Sequence, residues 1–139
     1  MQTIHATSVA IGGRAVLITG PSGSGKSDLA LRLIDRGFTL VSDDQTILGR
    51  DGARLIASAP STIAGKFEVR GIGIMDMDYE SDVPVALLVS LGGEIERLPA
   101  GNRERMILDV PVPTISLDAM AASAPAKVVL ALDRLGLRV

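Results

Sequence analysis

The sequence predicts an α/β domain built on a mixed β-sheet, and three observations predict it. A continuously apolar run, Ala15-Val16-Leu17-Ile18, leads through a glycine-rich stretch into a segment of helical periodicity. Turn signals at Gly12-Gly13 and Asp51-Gly52 each separate two apolar runs, the pattern of a β-hairpin. Further apolar runs of strand length recur at 38–42 and 83–91. With 139 residues there is room for one ordinary core, so a single domain spanning 1–139 is expected.

Taken in order, residues 3–11 and 14–19 form the arms of an N-terminal hairpin. In the second arm Ala15-Val16-Leu17-Ile18 is continuously apolar and is expected to be a central strand covered on both faces. From Lys26 onward Leu29, Ala30, Leu33 and Ile34 share one stripe, with Asp28, Arg32, Asp35 and Arg36 away from it, and Gly37 stops the helix. Residues 38–42 return as a strand ending in Asp43-Asp44, and 45–48 with 54–57 make a second hairpin. Residues 60–74, with Gly65, Gly71 and Gly73, show no clean period and read as a flexible loop leading into a short element. A buried strand follows at 83–91, then a polar connection at 98–105. The strand at 110–117 is confined by Pro111 and Pro113 to an edge or irregular position. The tail is alanine-rich from Asp118, and 126–135 carries a helical stripe ending at Gly136.

Composition narrows the function classes. A net charge of −2 supplies no global attraction to nucleic acid or anionic lipid, and two Phe, one Tyr and no Trp leave no stacking platform for single strands. Nucleic acid is not expected as a partner, and neither is a membrane. With no cysteine, catalysis must use oxygen and nitrogen groups. The N-terminus lacks the basic flank and long apolar run of a signal peptide, so a cytoplasmic protein is expected.

The stretch Gly20-Pro21-Ser22-Gly23-Ser24-Gly25-Lys26-Ser27 satisfies G-x-x-x-x-G-K-[ST] at every fixed position. Its glycines let successive N–H groups turn inward around a phosphate, and the following helix adds its positive end. Lys26 can reach the β- and γ-phosphates, and the Ser27 hydroxyl can ligate Mg²⁺. The strand before and the amphipathic helix after are the context such a loop needs. The fold class is therefore read as P-loop kinase-like: a mixed sheet with an N-terminal hairpin, a P-loop helix and one or two C-terminal helices, binding ATP and Mg²⁺.

Such a domain needs an acidic group at the end of a strand beside the P-loop strand, and Asp43-Asp44 answers that description. Neighbouring strand residues point to opposite faces, so one of the two is expected at the γ-phosphate and the other in a turn or at the metal through water. An ordinary turn is the plain alternative. His5, the single histidine, is placed on the first arm of the hairpin, where a structural or exposed role competes with a catalytic one. Glu68 either completes a Mg²⁺ shell or is a solvated charge.

Together these residues resemble the bacterial HPr kinase/phosphorylase, in a short form consisting of its catalytic domain. His5 stands before the P-loop lysine at that family's spacing. The run from Gly20 through Gly37 to Leu40-Val41-Ser42-Asp43-Asp44 is similar to the family's P-loop helix and V-A-D-D motif. Phe67-Glu68-Val69-Arg70-Gly71-Ile72-Gly73 resembles its E-[IV]-R-G-[LI]-G signature. The resemblance implies a protein-serine kinase acting on the phosphocarrier HPr, with Asp44 as general base, His5 beside it, and Lys26 stabilising the transferred phosphoryl. It implies Ser27, Glu68 and Asp43 as Mg²⁺ ligands and an arginine after the signature: Arg97 matches best, with Arg103 and Arg105 as neighbours. It also implies a homo-oligomer, a hexamer. The family's P-V-x-P-G-R-N stretch, tied to dephosphorylation, corresponds to Pro111-Val112-Pro113-Thr114-Ile115-Ser116-Leu117-Asp118 and lacks Gly-Arg-Asn, which leaves the reverse reaction open. A small-molecule kinase and a nucleotide-sensing module without turnover are the competing readings.

Overall fold

The computed structural model describes residues 1–99, 101 and 103–139. The strands are β1 (Gln2–Ile4), β2 (Ala6–Ile11), β3 (Arg14–Thr19), β4 (Thr39–Ser42), β5 (Thr46–Asp51), β6 (Arg54–Ser58), β7 (Lys66–Val69), β8 (Gly73–Asp76), β9 (Val83–Leu91), β10 (Glu104–Ile107) and β11 (Val110–Leu117). Helix α1 (Lys26–Asp35) follows β3, and α2 (Ala124–Leu135) follows β11.

Strands β2 and β3 pair antiparallel from Ala6↔Thr19 to Ile11↔Arg14, leaving Gly12 and Gly13 as the turn with φ of 59° and 77°. Two successive left-handed residues are what a type I′ turn requires, and glycine adopts them without a Cβ clash. Next, β3 pairs parallel with β9, within a nine-stranded sheet ordered β1-β5-β6-β9-β3-β2-β4. The far edge of β9 is shared: β6 takes Val83 and Pro84, β11 takes Leu88 to Leu91, and β10 pairs with the start of β11. The sheet thereby forks at β9 and curls over itself.

Two cores result. Helices α1 and α2 cover one face through Leu29, Leu33, Val128 and Leu132, packed on Val16, Ile18 and Val89. On the other face Leu48, Leu55, Val110 and Val112 fold back onto Ala15, Leu17, Val85 and Leu88. Strand β3 contributes to both, as its unbroken apolar run predicts. A register shift between Ala15↔Val85 and Val16↔Leu87 leaves Ala86 as an extra residue in β9. It inverts the alternation, so Val83 and Val85 face the curl whereas Leu87, Val89 and Leu91 face the helices.

The end of α1 is set by Gly37 (φ 103°), as predicted. Its N–H donates to Ile34 O at 3.0 Å and that of Phe38 to Leu33 O at 3.1 Å, the paired bonds of a Schellman cap. The prolines of β11 also obey expectation. Thr114 N–H donates to Arg103 O at 2.9 Å on the β10 side, so Pro111 and Pro113 turn their missing donors toward the edge that meets β9 only from Thr114 onward.

Several expectations change. Residues 3–11 are not one arm: the chain bends at His5, so that β1 leaves to pair with β5 and only β2 remains in the hairpin. His5 sits in that bend, not on a hairpin arm. Strand β4 pairs with β2, not β3, because the hairpin places β2 between them. The turn of the second hairpin is Gly52-Ala53, with Asp51 still paired to Arg54. Residues 60–74 are not a plain loop, since β7 and β8 form a two-stranded sheet anchored by Phe67, which is 1% exposed. Exposed Ile72 and Ile74 hide its period-two pattern. The polar connection 98–105 runs into β10, whose two leading charged residues, Glu104 and Arg105, mask it. Among the described residues no helix is long and apolar enough to cross a membrane.

Candidate active site

Strand β3 ends at Thr19, and the chain turns through residues 20–25 into α1. Close packing explains the glycines of this loop. A Cβ on Gly20 would lie 2.5 Å from Ser24 Oγ and 2.9 Å from Leu91 O, and one on Gly25 (φ 96°) would lie 2.9 Å from Ala119 Cβ. Gly92 (φ 83°), just beyond β9, lets Pro21 approach in the same way. The loop is thus wedged between the end of β9 and the segment after β11. Lys26, 8% exposed, folds across it and donates from Nζ to Gly20 O (2.8 Å) and Pro21 O (3.2 Å). Gly25 precedes α1 without a side-chain cap, leaving the positive end of a ten-residue helix facing the loop. Ser24 Oγ is buried there without a partner among the described residues.

Asp43 is the hub beside this loop. The residue is 8% exposed, and Oδ1 accepts from the hydroxyls of Ser27 (2.8 Å) and Thr7 (3.2 Å) while Oδ2 accepts from Glu68 N–H (3.2 Å). One carboxylate therefore joins α1, β2 and β7. Thr7 Oγ1 in turn accepts the N–H of Asp44 at 3.1 Å, so a single buried hydroxyl fixes both aspartates. Asp44 has φ 68°, a left-handed conformation that aspartate tolerates better than most residues. That twist turns its carboxylate away from the Asp43 cluster and toward His5, whose Nε2 lies 3.3 Å from Asp44 Oδ1. Both side chains are more than half exposed, at 53% and 63%, so the pair is open to a docking partner.

Of the residues singled out from sequence, His5, Lys26, Ser27, Asp43, Asp44 and the backbone of Glu68 converge at the mouth of the loop. The Glu68 side chain is exposed. Arg97 is exposed on the segment after Gly92, Arg103 pairs with Glu96, and Arg105 lines a groove together with His5 and Thr19. Thr7 escaped sequence reasoning. The available signal was a pair of hydroxyl residues, Thr7-Ser8, inside a strand otherwise apolar from Ala6 to Ile11, because buried hydroxyls require partners.

Comparison with known proteins identifies the family. The model of the HPr Serine kinase C-terminal domain matches residues 1–133. The HPr kinase/phosphorylase of Latilactobacillus sakei subsp. sakei (strain 23K) is 36% identical over 129 residues, covering 84% of this chain and 41% of that protein. That of Clostridium botulinum (strain Eklund 17B / Type B) is 46% identical over 126 residues, covering 82% and 41%. The chain thus spans about two fifths of the length of the curated relatives it matches. A solved structure, the Hpr(Ser) kinase/phosphatase from Coxiella burnetii, superposes with a TM-score of 0.81 at 32% identity, covering 96% of this chain and 89% of that one. A family match over 133 of the 139 residues means that this chain belongs to the HPr serine kinase C-terminal domain family.

Proposed function

We propose that this chain is a catalytic domain that transfers the γ-phosphoryl group of ATP to a serine of an HPr-type phosphocarrier protein. The observation that carries this reading is the convergence of Ser27, Asp43, Asp44 and His5 at the mouth of the 20–27 loop, which we read as a P-loop. The uncapped helix end and the inward glycine backbone suit the phosphates. Lys26 releases the carbonyls of Gly20 and Pro21 to meet the β- and γ-phosphates.

The donor set also suits magnesium. Ser27 offers a hydroxyl and Asp43 a carboxylate, both hard oxygens, and a Mg²⁺ site of this type takes one or two protein ligands with phosphate and water. Glu68 lies on β7, where its N–H donates to Asp43 and its side chain is exposed, and is the third proposed ligand. When bound, the metal neutralises charge on the phosphates.

Asp44 is the general base. It stands outside the Asp43 cluster, so its carboxylate is available for the serine proton, and His5 holds it in place from the solvent side. Arg97 is carried over as the residue that balances charge on the phosphoryl group. The remaining proposals are that the chain acts as one domain over 1–139, in the cytoplasm, as a homo-oligomer, hexameric by family resemblance.

Purified protein with Mg·ATP should phosphorylate one serine of HPr, located by mass spectrometry. Replacing the base, Asp44→Asn, should lower kcat by about 10²- to 10⁴-fold while nucleotide binding persists. Unchanged transfer by Asp44→Asn would remove Asp44 from the role of base. ATP binding without transfer to any protein would favour a nucleotide sensor, and transfer to small acceptors alone would favour a small-molecule kinase.

A further inference from the structure

The groove beside His5 has no part in the roles assigned above. It encloses about 400 Å³ and is lined by Gln2, Ile4, His5, Thr19, Leu88 and Arg105, with residues 106–108 closing one side. Thr19 is the last residue of β3 before the 20–27 loop, and His5 touches Asp44. The groove therefore lies beside the proposed transfer centre, and neither Lys26 nor the loop residues whose carbonyls it holds are among those that line it.

Strand register fixes which way Arg105 faces. It stands opposite Val112 in the β10–β11 pair, and Ile107 stands opposite Val110. Directly opposed residues project from the same face, and both valines are buried in the core of the curl. Arg105 thus projects from the inner face of β10 beside Ile107, whereas Glu104 and Met106 take the outer one. Its side chain is nonetheless exposed, because the groove is open there. The groove-lining residues include two groups able to carry positive charge, His5 and Arg105, and no carboxylate. A lone guanidinium on an inward face, beside the histidine that holds the base, is placed for an anion arriving from the groove.

Phosphoryl transfer supplies such an anion. The serine O–H proton passes to the Asp44 carboxylate, the serine oxygen forms the new bond to phosphorus, and the bond from the γ-phosphorus to its bridging oxygen breaks, releasing ADP. Negative charge thereby moves from the nucleotide side to the acceptor side. Lys26 serves the first; a planar guanidinium that can take two phosphate oxygens suits the second.

We propose that Arg105 is the acceptor-side arginine: its guanidinium meets the phosphoryl group as it reaches the serine, and the groove walls at Ile4 and Ile107 receive the acceptor segment that carries it. This rests on the kinase reading above and assigns Arg105 a place that Arg97 does not fill. In steady-state transfer to HPr, Arg105→Ala should lower kcat/KM for the acceptor by about 10²- to 10³-fold, with Arg105→Lys recovering only part of the loss. Affinity for a fluorescent ATP analogue should stay within about twofold of wild type. Arg105→Gln, which keeps the side-chain stem, provides the same reading should the alanine variant melt early. An active wild type with Arg105→Ala and Arg105→Gln both within about threefold of it would overturn the assignment while leaving the kinase reading intact. A comparable loss of nucleotide affinity would also overturn it, by placing Arg105 on the donor side. A wild type that binds nucleotide but transfers nothing to HPr would sink the kinase reading first, and this assignment with it.

Discussion

Thr7 is where the largest functional consequence rests on the smallest group. Its hydroxyl donates to Asp43 and accepts from the N–H of Asp44, and it is fully buried. Thr7→Val keeps the shape and β-branching but leaves the Asp44 N–H unpaired and removes one of three donors to the Asp43 carboxylate. Each lost net hydrogen bond costs about 0.5–1.5 kcal/mol, so denaturant unfolding should show a loss of about 1–3 kcal/mol. The loosened base should also lower kcat by about tenfold at unchanged nucleotide affinity, and Thr7→Ser should restore most of it. A Thr7→Val enzyme with full kcat would reduce the residue to a packing role. The contrast with His5 shows what sequence reveals at this scale. A lone histidine before a G-x-x-x-x-G-K-S stretch draws notice by its chemistry, whereas a threonine in a buried strand is ordinary until its partners, 36 and 37 residues away, are seen.

At the scale of elements, the parts legible in the sequence are those with a local cause. Gly12-Gly13 fixes the first hairpin through two positive φ values, Gly37 fixes the end of α1, and the doubly buried β3 and β9 announce themselves by unbroken apolar runs. The parts that were not legible have causes remote in sequence. The break at His5 exists because β1 finds β5, more than 40 residues on, and β10 exists because β11 offers it an edge. The β7–β8 hairpin belongs with these, since Phe67 enters the core with only Val69 of the hairpin packed beside it among the described residues, while Ile72 and Ile74 stay exposed. That anchor also presents the Glu68 N–H to Asp43. Phe67→Ala should therefore act twice. A fully buried phenylalanine truncated to alanine costs about 3–5 kcal/mol, measurable by denaturant unfolding. Hydrogen exchange in residues 66–76 should accelerate more than in β3, because the hairpin makes few other contacts with the main sheet. Equal acceleration in both would mean that Phe67 supports the whole core and not the hairpin in particular.

For the whole molecule, the 20–27 loop lies where separate parts meet: β3 leads into it, α1 leaves it, and Leu91, Gly92 and Ala119 pack against it from the end of β9 and beyond β11. Both cores share β3 and β9, so a ligand held by this loop should stabilise the structure as a unit and heating should give one transition. A ligand binding only the folded state adds RT ln(1 + [L]/Kd), about 2.7 kcal/mol at a free concentration near 100 Kd. For a chain of this length each kcal/mol raises Tm by roughly 3–5 °C, so saturating Mg·ATP should raise Tm by roughly 8–13 °C. Lys26→Ala isolates the cause. It removes the ammonium that now bridges Gly20 O and Pro21 O, and with it the charge proposed to meet the β- and γ-phosphates. The variant should keep a single transition in scanning calorimetry, yet lose most of the nucleotide-induced shift. A full shift in Lys26→Ala would mean that the nucleotide stabilises the fold from somewhere other than this loop. In that case the contacts joining Ser27 to Asp43 and His5 to Asp44 would be structural ties between elements, with no bearing on phosphoryl transfer.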